Sequence, residues 1–168
     1  MGKYISFLHD SDLFYNLTAT QLELVDSLCE ECTFDDGEVI LQENSRETEL
    51  YLIIKGSVNV LVNPALVSPQ PGDATRPVII ATLRRGQSFG EIALVDEGVR
   101  TASVCAAEKR TQLLRIQRNR FMLLCNTYPD LGYRVMYNLA AELALKMRNT
   151  DLKIREILLY SQKSQPRS

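Results

Sequence analysis

Six short apolar runs most tightly constrain how this chain can fold. They occupy residues 38–42, 49–55, 57–62, 78–83, 102–106 and 111–117. Each is too short for a stable helix, and each is rich in Val, Ile and Leu, which suit a pleated surface. Turn signals separate them, notably Asp35-Asp36-Gly37, Lys55-Gly56 and Arg84-Arg85-Gly86. Short strands joined by tight turns bury their apolar faces by forming a sandwich or barrel. At 168 residues and 45% apolar content, the chain can build one domain with a real core and room for an appendage.

Helical signals flank these runs. Residues 12–16 resemble a short helical turn with Phe14 and Leu17 apolar. Thr18-x-x-Gln21 fits a capping box and starts a helix expected to reach about Cys29, with Leu22, Val25 and Leu28 on one face. Another helix is expected over 118–126, then a break at Tyr128-Pro129 and a long helix over 129–160. Pro at a first helical position suits that start. Along the long helix, Met136, Ala140, Leu143, Met147, Thr150, Ile154 and Ile157 alternate spacings of four and three, a coiled-coil-like seam. Its first half is expected to cover the core and any pocket, and its second half to pair with another copy of the chain. Residues 63–77 hold Pro64, Pro69, Pro71 and Pro77, and this long connection is expected to be mobile.

The chemistry concentrates in Gly86-Gln87-Ser88-Phe89-Gly90-Glu91-Ile92-Ala93-Leu94 and, after five residues, Arg100-Thr101-Ala102-Ser103-Val104. Gly90 lets the backbone come close to a ligand. Glu91-Ile92-Ala93-Leu94 reads as a first helical turn, whose N–H groups lack partners inside the helix and favour an anion. Arg100 adds a permanent charge whose planar fork fits two phosphate oxygens. Glu91 repels phosphate, but it suits a sugar hydroxyl beside one. Phosphate and sugar hydroxyl together indicate a nucleotide. The alternative is a structural ion pair between Glu91 and Arg100.

From Phe89 to Val104 the chain resembles the phosphate-binding cassette of cyclic nucleotide-binding domains. These occur in catabolite-activator-type regulators, regulatory subunits of cyclic-nucleotide-dependent kinases and cyclic-nucleotide-gated channels. The family pattern is Phe-Gly-Glu-(Leu/Ile)-Ala-Leu, a short spacer, then Arg-(Ala/Thr/Ser)-Ala-(Thr/Ser)-Val. This chain departs from it at Val99, where Pro is common. The resemblance runs from about Leu13 to the helix after Pro129. It implies an α+β, mainly β fold: a jelly-roll β-roll flanked by N-terminal helices and a long C-terminal helix. It implies cAMP or cGMP as regulatory ligand, with Phe89, Gly90, Glu91, Ile92, Ala93, Arg100 and Thr101 as ligand-binding residues. In that carry-over Arg100 pairs with the cyclic phosphate and Glu91 accepts from the ribose 2′-hydroxyl. Backbone N–H groups of Gly90, Ile92, Ala93 and Thr101 supply further contacts. A hydroxyl residue after the Arg often accompanies cGMP binding, yet members with Thr there also bind cAMP, so both ligands stay open. Where catabolite-activator-type proteins place a Thr-Ser pair against the base, this chain has Lys146 and Met147, and Arg148 is an alternative cap.

The domain plan is therefore 1–127 for the N-terminal helices, β-roll and short hinge helix, 128–162 for a lid and dimerisation helix, and 163–168 for a disordered tail. Ser161 to Ser168 is too short for the helix-turn-helix unit that follows the long helix in catabolite-activator-type regulators, so a free-standing sensor is expected. A net charge of −2 is no footprint for nucleic acid, and no apolar run approaches the length of a membrane span. No secretory signal is evident, and four Cys fit a reduced, cytoplasmic setting. Cys29-x-x-Cys32 lacks the further ligands of a metal site and reads as buried apolar packing. His9 is the sole histidine and lies near the N-terminus, so no metal, catalytic residue or enzymatic activity is expected. The expected partners are a cyclic nucleotide, a second copy of the chain and an effector protein, without DNA or membrane. The rival reading is a protein-interaction module that keeps the fold and has lost the ligand.

Overall fold

The computed structural model describes residues 2–66, 76–96 and 98–163. Most of the proline-containing connection expected to be mobile, and the tail from residue 164, lie outside the described residues. The chain starts with helix α1 (Ile5–His9), a 3-10 turn (Asp12–Phe14) and helix α2 (Ala19–Asp26). The capping box at Thr18 is complete. Its hydroxyl accepts from the Gln21 N–H at 3.3 Å, and its own N–H donates to the Gln21 side chain at 2.9 Å. Helix α2 ends three residues before the expected Cys29, because the chain turns there into strand β1 (Glu30–Phe34). Sequence reasoning missed β1, since two of its five residues are acidic. Glu30 is accommodated by Arg115 on the neighbouring strand, whose Nη2 lies 2.6 Å from its carboxylate.

The expected runs appear as β2 (Val39–Leu41), β3 (Leu50–Lys55), β4 (Ser57–Val62), β5 (Val78–Arg84), β7 (Ser103–Ala106) and β8 (Thr111–Ile116). A two-residue strand, β6 (Ser88–Phe89), was not expected. The strands form two four-stranded sheets with orders β1-β8-β3-β6 and β2-β7-β4-β5, all pairs antiparallel. This is the expected jelly-roll fold with helices before and after it.

Strand β3 explains how the layers stack. Leu50 and Leu52 join Leu114, Ile116 and the helices in one core. Tyr51 and Ile53 point the other way, into a second core between the sheets with Val58, Phe89, Val104 and Leu113. Successive side chains alternate faces, so a strand buried on both sides reads as one continuous apolar run, as residues 50–54 do.

Helices α3 (Arg118–Thr127) and α4 (Pro129–Lys163) complete the fold. The buried stripe of α4 is Leu131, Val135 and Leu139, and Asn138 donates to the carbonyls of Leu13 and Tyr15 at 3.0 and 2.8 Å. For the first half of the helix this corrects the expected seam. Met136 and Leu143 pack partly on the core, whereas Ala140 and Met147 are exposed. Thr150, Ile154 and Ile157 border a cavity facing the roll yet stay exposed, Ile154 at 49% and Ile157 at 66%, so the second half of α4 keeps a face open to solvent.

Close approach of α3 and α4 requires Gly132. A Cβ there would sit 2.7 Å from the Cys125 carbonyl oxygen and 3.0 Å from the Cys125 Cβ. Ala gains roughly 1 kcal/mol of helix propensity over Gly, but overpacking against backbone costs about 1–3 kcal/mol. Gly132→Ala is therefore expected to lower the urea midpoint. A midpoint equal to or above that of the wild type would contradict the tight crossing.

Candidate functional site

The cassette is a short strand, a forced glycine and one tight turn. Phe89 at the end of β6 is buried and stacks on Tyr51, with centroids 5.2 Å apart and planes 8° from parallel. Gly90 follows at φ +79°, in the left-handed region. A Cβ at Gly90 would meet the Glu49 carbonyl oxygen at 2.7 Å and Arg100 Nη1 at 3.0 Å, so both conformation and space exclude a side chain. The expected helical turn is a 3-10 turn, Glu91–Leu94. Ala93 and Leu94 face inward while Ile92 is 44% exposed. Arg118, at the start of α3, donates through Nε to the Ala93 carbonyl at 2.8 Å and ties the turn to the helices. The Ala93 N–H is directed at the Gly90 carbonyl, 3.3 Å away.

Arg100 is buried to 7% exposure. Its Nη1 donates to the Gly90 carbonyl at 3.1 Å and its Nη2 to the Glu49 carbonyl at 2.6 Å. Its Nε is buried without a hydrogen-bond partner among the described residues. Backbone pairing fixes the residue further: the Arg100 N–H donates to Ser45 at 2.9 Å, and its carbonyl accepts from Asn44 at 2.8 Å. Burial lowers the guanidinium pKa from its usual value, and the fields of Glu49, Tyr51, Glu47 and Glu91 only partly oppose this. Two neutral carbonyls hold this cation, and among the described residues no carboxylate forms an ion pair with it. Such a group is poised for an anion.

Glu91 does not pair with Arg100. Its carboxylate, 6% exposed, forms an ion pair through Oε1 with Lys146 of α4. Lys146 also lies 2.9 Å from Glu142 Oε1, one helical turn earlier, and Glu142 accepts from the Ser88 hydroxyl at 3.4 Å. Burial opposes the Lys146 charge, but Glu91 and Glu142 outweigh it and hold the pKa above the ordinary lysine value.

These groups open on a cavity of about 710 Å³ between the roll and α4. Phe89, Gly90, Glu91, Ile92, Ala93, Arg100 and Thr101 all line it, so the fold brings together every residue singled out for ligand binding. Apolar walls come from all four strands of the β2-β7-β4-β5 sheet, including Leu41, Val60, Leu83 and Val104. Of the roof, the resemblance pointed to Lys146, which does face the cavity, but not to Asn149, Thr150, Lys153, Ile154 or Ile157, which face it too. Arg148, considered as a cap, does not line it, and Met147 is 64% exposed. A helical stripe of mixed polarity gives no hydropathy signal, and only the path of α4 across the roll identifies these side chains.

The remaining candidates carry no comparable chemistry. Burial pushes the Cys29 thiol up to about 12 and also raises Cys32. Their thiols donate to the Val25 and Leu113 carbonyls, at 3.4 and 3.7 Å. Protonated buried thiols are poor nucleophiles and poor metal ligands. His9 is exposed beside Asp10. Among the described residues, no group of three His, Cys, Asp or Glu side chains is placed to hold a metal ion. No helix there is long and apolar enough to cross a membrane.

Comparison with known proteins agrees with this geometry. The family model for the cyclic nucleotide-binding domain matches residues 31–128. The cyclic AMP receptor protein of Thermus thermophilus is 33% identical over 144 residues, which is 86% of this chain and 61% of that protein. Human cGMP-dependent protein kinase 2 is 30% identical over 129 residues, 77% of this chain and 16% of the kinase. The chain thus spans less than two thirds of the length of either relative. The crystal structure of the Thermus thermophilus catabolite activator protein superposes with a TM-score of 0.71 at 31% identity, covering 88% of this chain and 63% of that one. A cyclic nucleotide-binding domain from Methylobacillus flagellatus gives 0.76 at 21% identity, covering 93% and 86%, a likeness of fold. The chain belongs to the cyclic nucleotide-binding domain family.

Proposed function

We propose that the cavity binds a cyclic nucleotide, cAMP or cGMP, and that the domain is a non-enzymatic sensor. The observation that carries this reading is Arg100, a buried guanidinium held by two carbonyls and, among the described residues, by no carboxylate. The cyclic phosphate pairs with it, and Glu91 accepts from the ribose 2′-hydroxyl. The backbone at Gly90, Ile92 and Thr101 completes the phosphate contacts, and the base lies against the apolar wall. A cavity of about 710 Å³ falls within the usual range for small-molecule sites. Resemblance to a cyclic AMP receptor protein and to a cGMP-dependent kinase supports the ligand class and leaves the base open.

Ligand contact with α4 supplies the signal. Asn149, Thr150 and Lys153 line the cavity, so a bound nucleotide has different contacts with docked and undocked states of this helix and shifts their populations. The proposed recipient is an effector protein in the cytoplasm, without DNA or membrane contact. A second copy of the chain is the proposed partner of α4. Tyr133, Tyr137, Met147, Ile154 and Leu158 are 49–67% exposed on that helix. With Ala140, Ala144 and Asp151 they alternate spacings of four and three, as a paired helix requires.

Titration calorimetry of nucleotide-stripped protein tests the ligand. Saturable binding of cAMP or cGMP is expected, and Arg100→Ala should weaken it on the order of 10²–10³-fold, as for other broken buried charge pairs. No heat from folded wild-type protein would leave the interaction-module reading standing. Hydrogen exchange across residues 129–163 should slow on saturation, and identical exchange with and without ligand would sink the α4 mechanism. Light scattering should give twice the chain mass for the wild type and the single-chain mass for Met147→Glu/Leu158→Glu. Single-chain mass for both would refute the proposed pairing.

A further inference from the structure

Glu91 sits badly in a phosphate site unless something cancels its charge. Its carboxylate is almost fully buried and opens on the cavity that also holds Arg100. A ligand phosphate placed on Arg100 would face this second anion across a low-dielectric pocket. A ribose hydroxyl can donate to Glu91 but brings no positive charge. The chain itself supplies that charge from the far end of the fold. Lys146 projects from α4 onto Glu91 Oε1 and is braced by Glu142 at 2.9 Å. Glu142 is in turn held by the Ser88 hydroxyl, two residues before Gly90.

We propose that Lys146 is a positioning residue of the nucleotide site: it neutralises Glu91 and orients its carboxylate so that Oε2 receives the sugar hydroxyl while the phosphate occupies Arg100. The inference rests on the cyclic-nucleotide reading above and deepens it.

The competing possibility is that the sugar displaces Lys146, which would make the lysine an internal competitor. Electrostatics decides between them. Displacement exchanges an ion pair for a hydrogen bond from an uncharged hydroxyl and leaves a buried carboxylate uncompensated beside a phosphate, a costly arrangement. Retention satisfies all three groups, because the ammonium uses Oε1 and leaves Oε2. Burial also argues for a fixed partner: the Glu91 side chain is 6% exposed, whereas Lys146 is 42% exposed and its removal leaves the core intact.

The test is calorimetry of wild type, Lys146→Met and Lys146→Arg with cAMP, cGMP and the 2′-deoxy analogue of each. Charge-assisted hydrogen bonds contribute about 1.5–3 kcal/mol, so Lys146→Met is expected to weaken the parent nucleotide by about 10- to 100-fold. Lys146→Arg should restore binding to within about 3-fold of wild type, since it keeps the charge. The 2′-deoxy analogue keeps the phosphate but cannot use Glu91 as an acceptor, so Lys146→Met should weaken it through the uncompensated charge alone, distinctly less than the parent, which loses the oriented acceptor as well. A merely structural lysine would penalise both ligands equally, and that result overturns the proposal. Unchanged or tighter binding by Lys146→Met overturns it as well, the tighter case marking Lys146 as a competitor. Wild-type protein that binds neither nucleotide overturns the site reading and this inference together. Normal wild-type binding with an insensitive Lys146→Met overturns the inference alone.

Discussion

The site depends on the burial of one guanidinium against two backbone carbonyls. Arg100 reaches the Gly90 and Glu49 oxygens only because Gly90 has no side chain and adopts a left-handed backbone. Those two carbonyls belong to different parts of the chain, so the same contact joins the cassette to the approach to β3. Desolvating a cation in this way is unfavourable unless its hydrogen bonds are met. Two are met by carbonyls, which satisfy donors without cancelling charge. The fold therefore holds a positive charge in reserve, aimed at the cavity.

Around that centre, two parts of the fold bring opposite polarity to the same place. The turn after Gly90 contributes Glu91, and the long helix contributes Lys146, 55 residues later in sequence. Arg118 fastens the turn to α3, and Asn138 fastens α4 to the N-terminal turn. Helix, turn and roll are thus linked by directional bonds in addition to apolar contact. A disturbance at the cassette has a physical route to α4 through Lys146, and a second one to α3 through Arg118.

Much of this was legible in the sequence where local rules dominate. The capping box at Thr18, the proline start of α4 and six strands each follow from a few adjacent residues. The cassette was legible for the same reason: turn glycine, turn carboxylate and arginine lie within eleven residues, and all seven candidate side chains line one cavity. Elements that depend on distant partners were hidden. Strand β1 carries Glu30 and Glu31, whose compensation comes from Arg115 and Lys3. Strand β6 has two residues and exists only because β3 pairs with it. The seam on α4 was offset because its periodicity fits more than one face, and packing against the Asp12–Phe14 turn and α3 selects Leu131, Val135 and Leu139. Lys146 gave no signal as a partner of Glu91, because nothing in a linear pattern joins residues that far apart.

The distribution of the cavity lining along the chain has a consequence for synthesis. A ribosome that has released residues up to Thr127 has delivered the roll strands, the cassette and α3, but none of the roof. Lys146 through Ile157 emerge later, at a translation rate of roughly 5–20 residues per second. Until then Glu91 faces water instead of an ammonium, and the apolar wall is open on one side. The nascent chain has the cassette before it has the element that closes the cavity, so the cavity is complete only when α4 arrives.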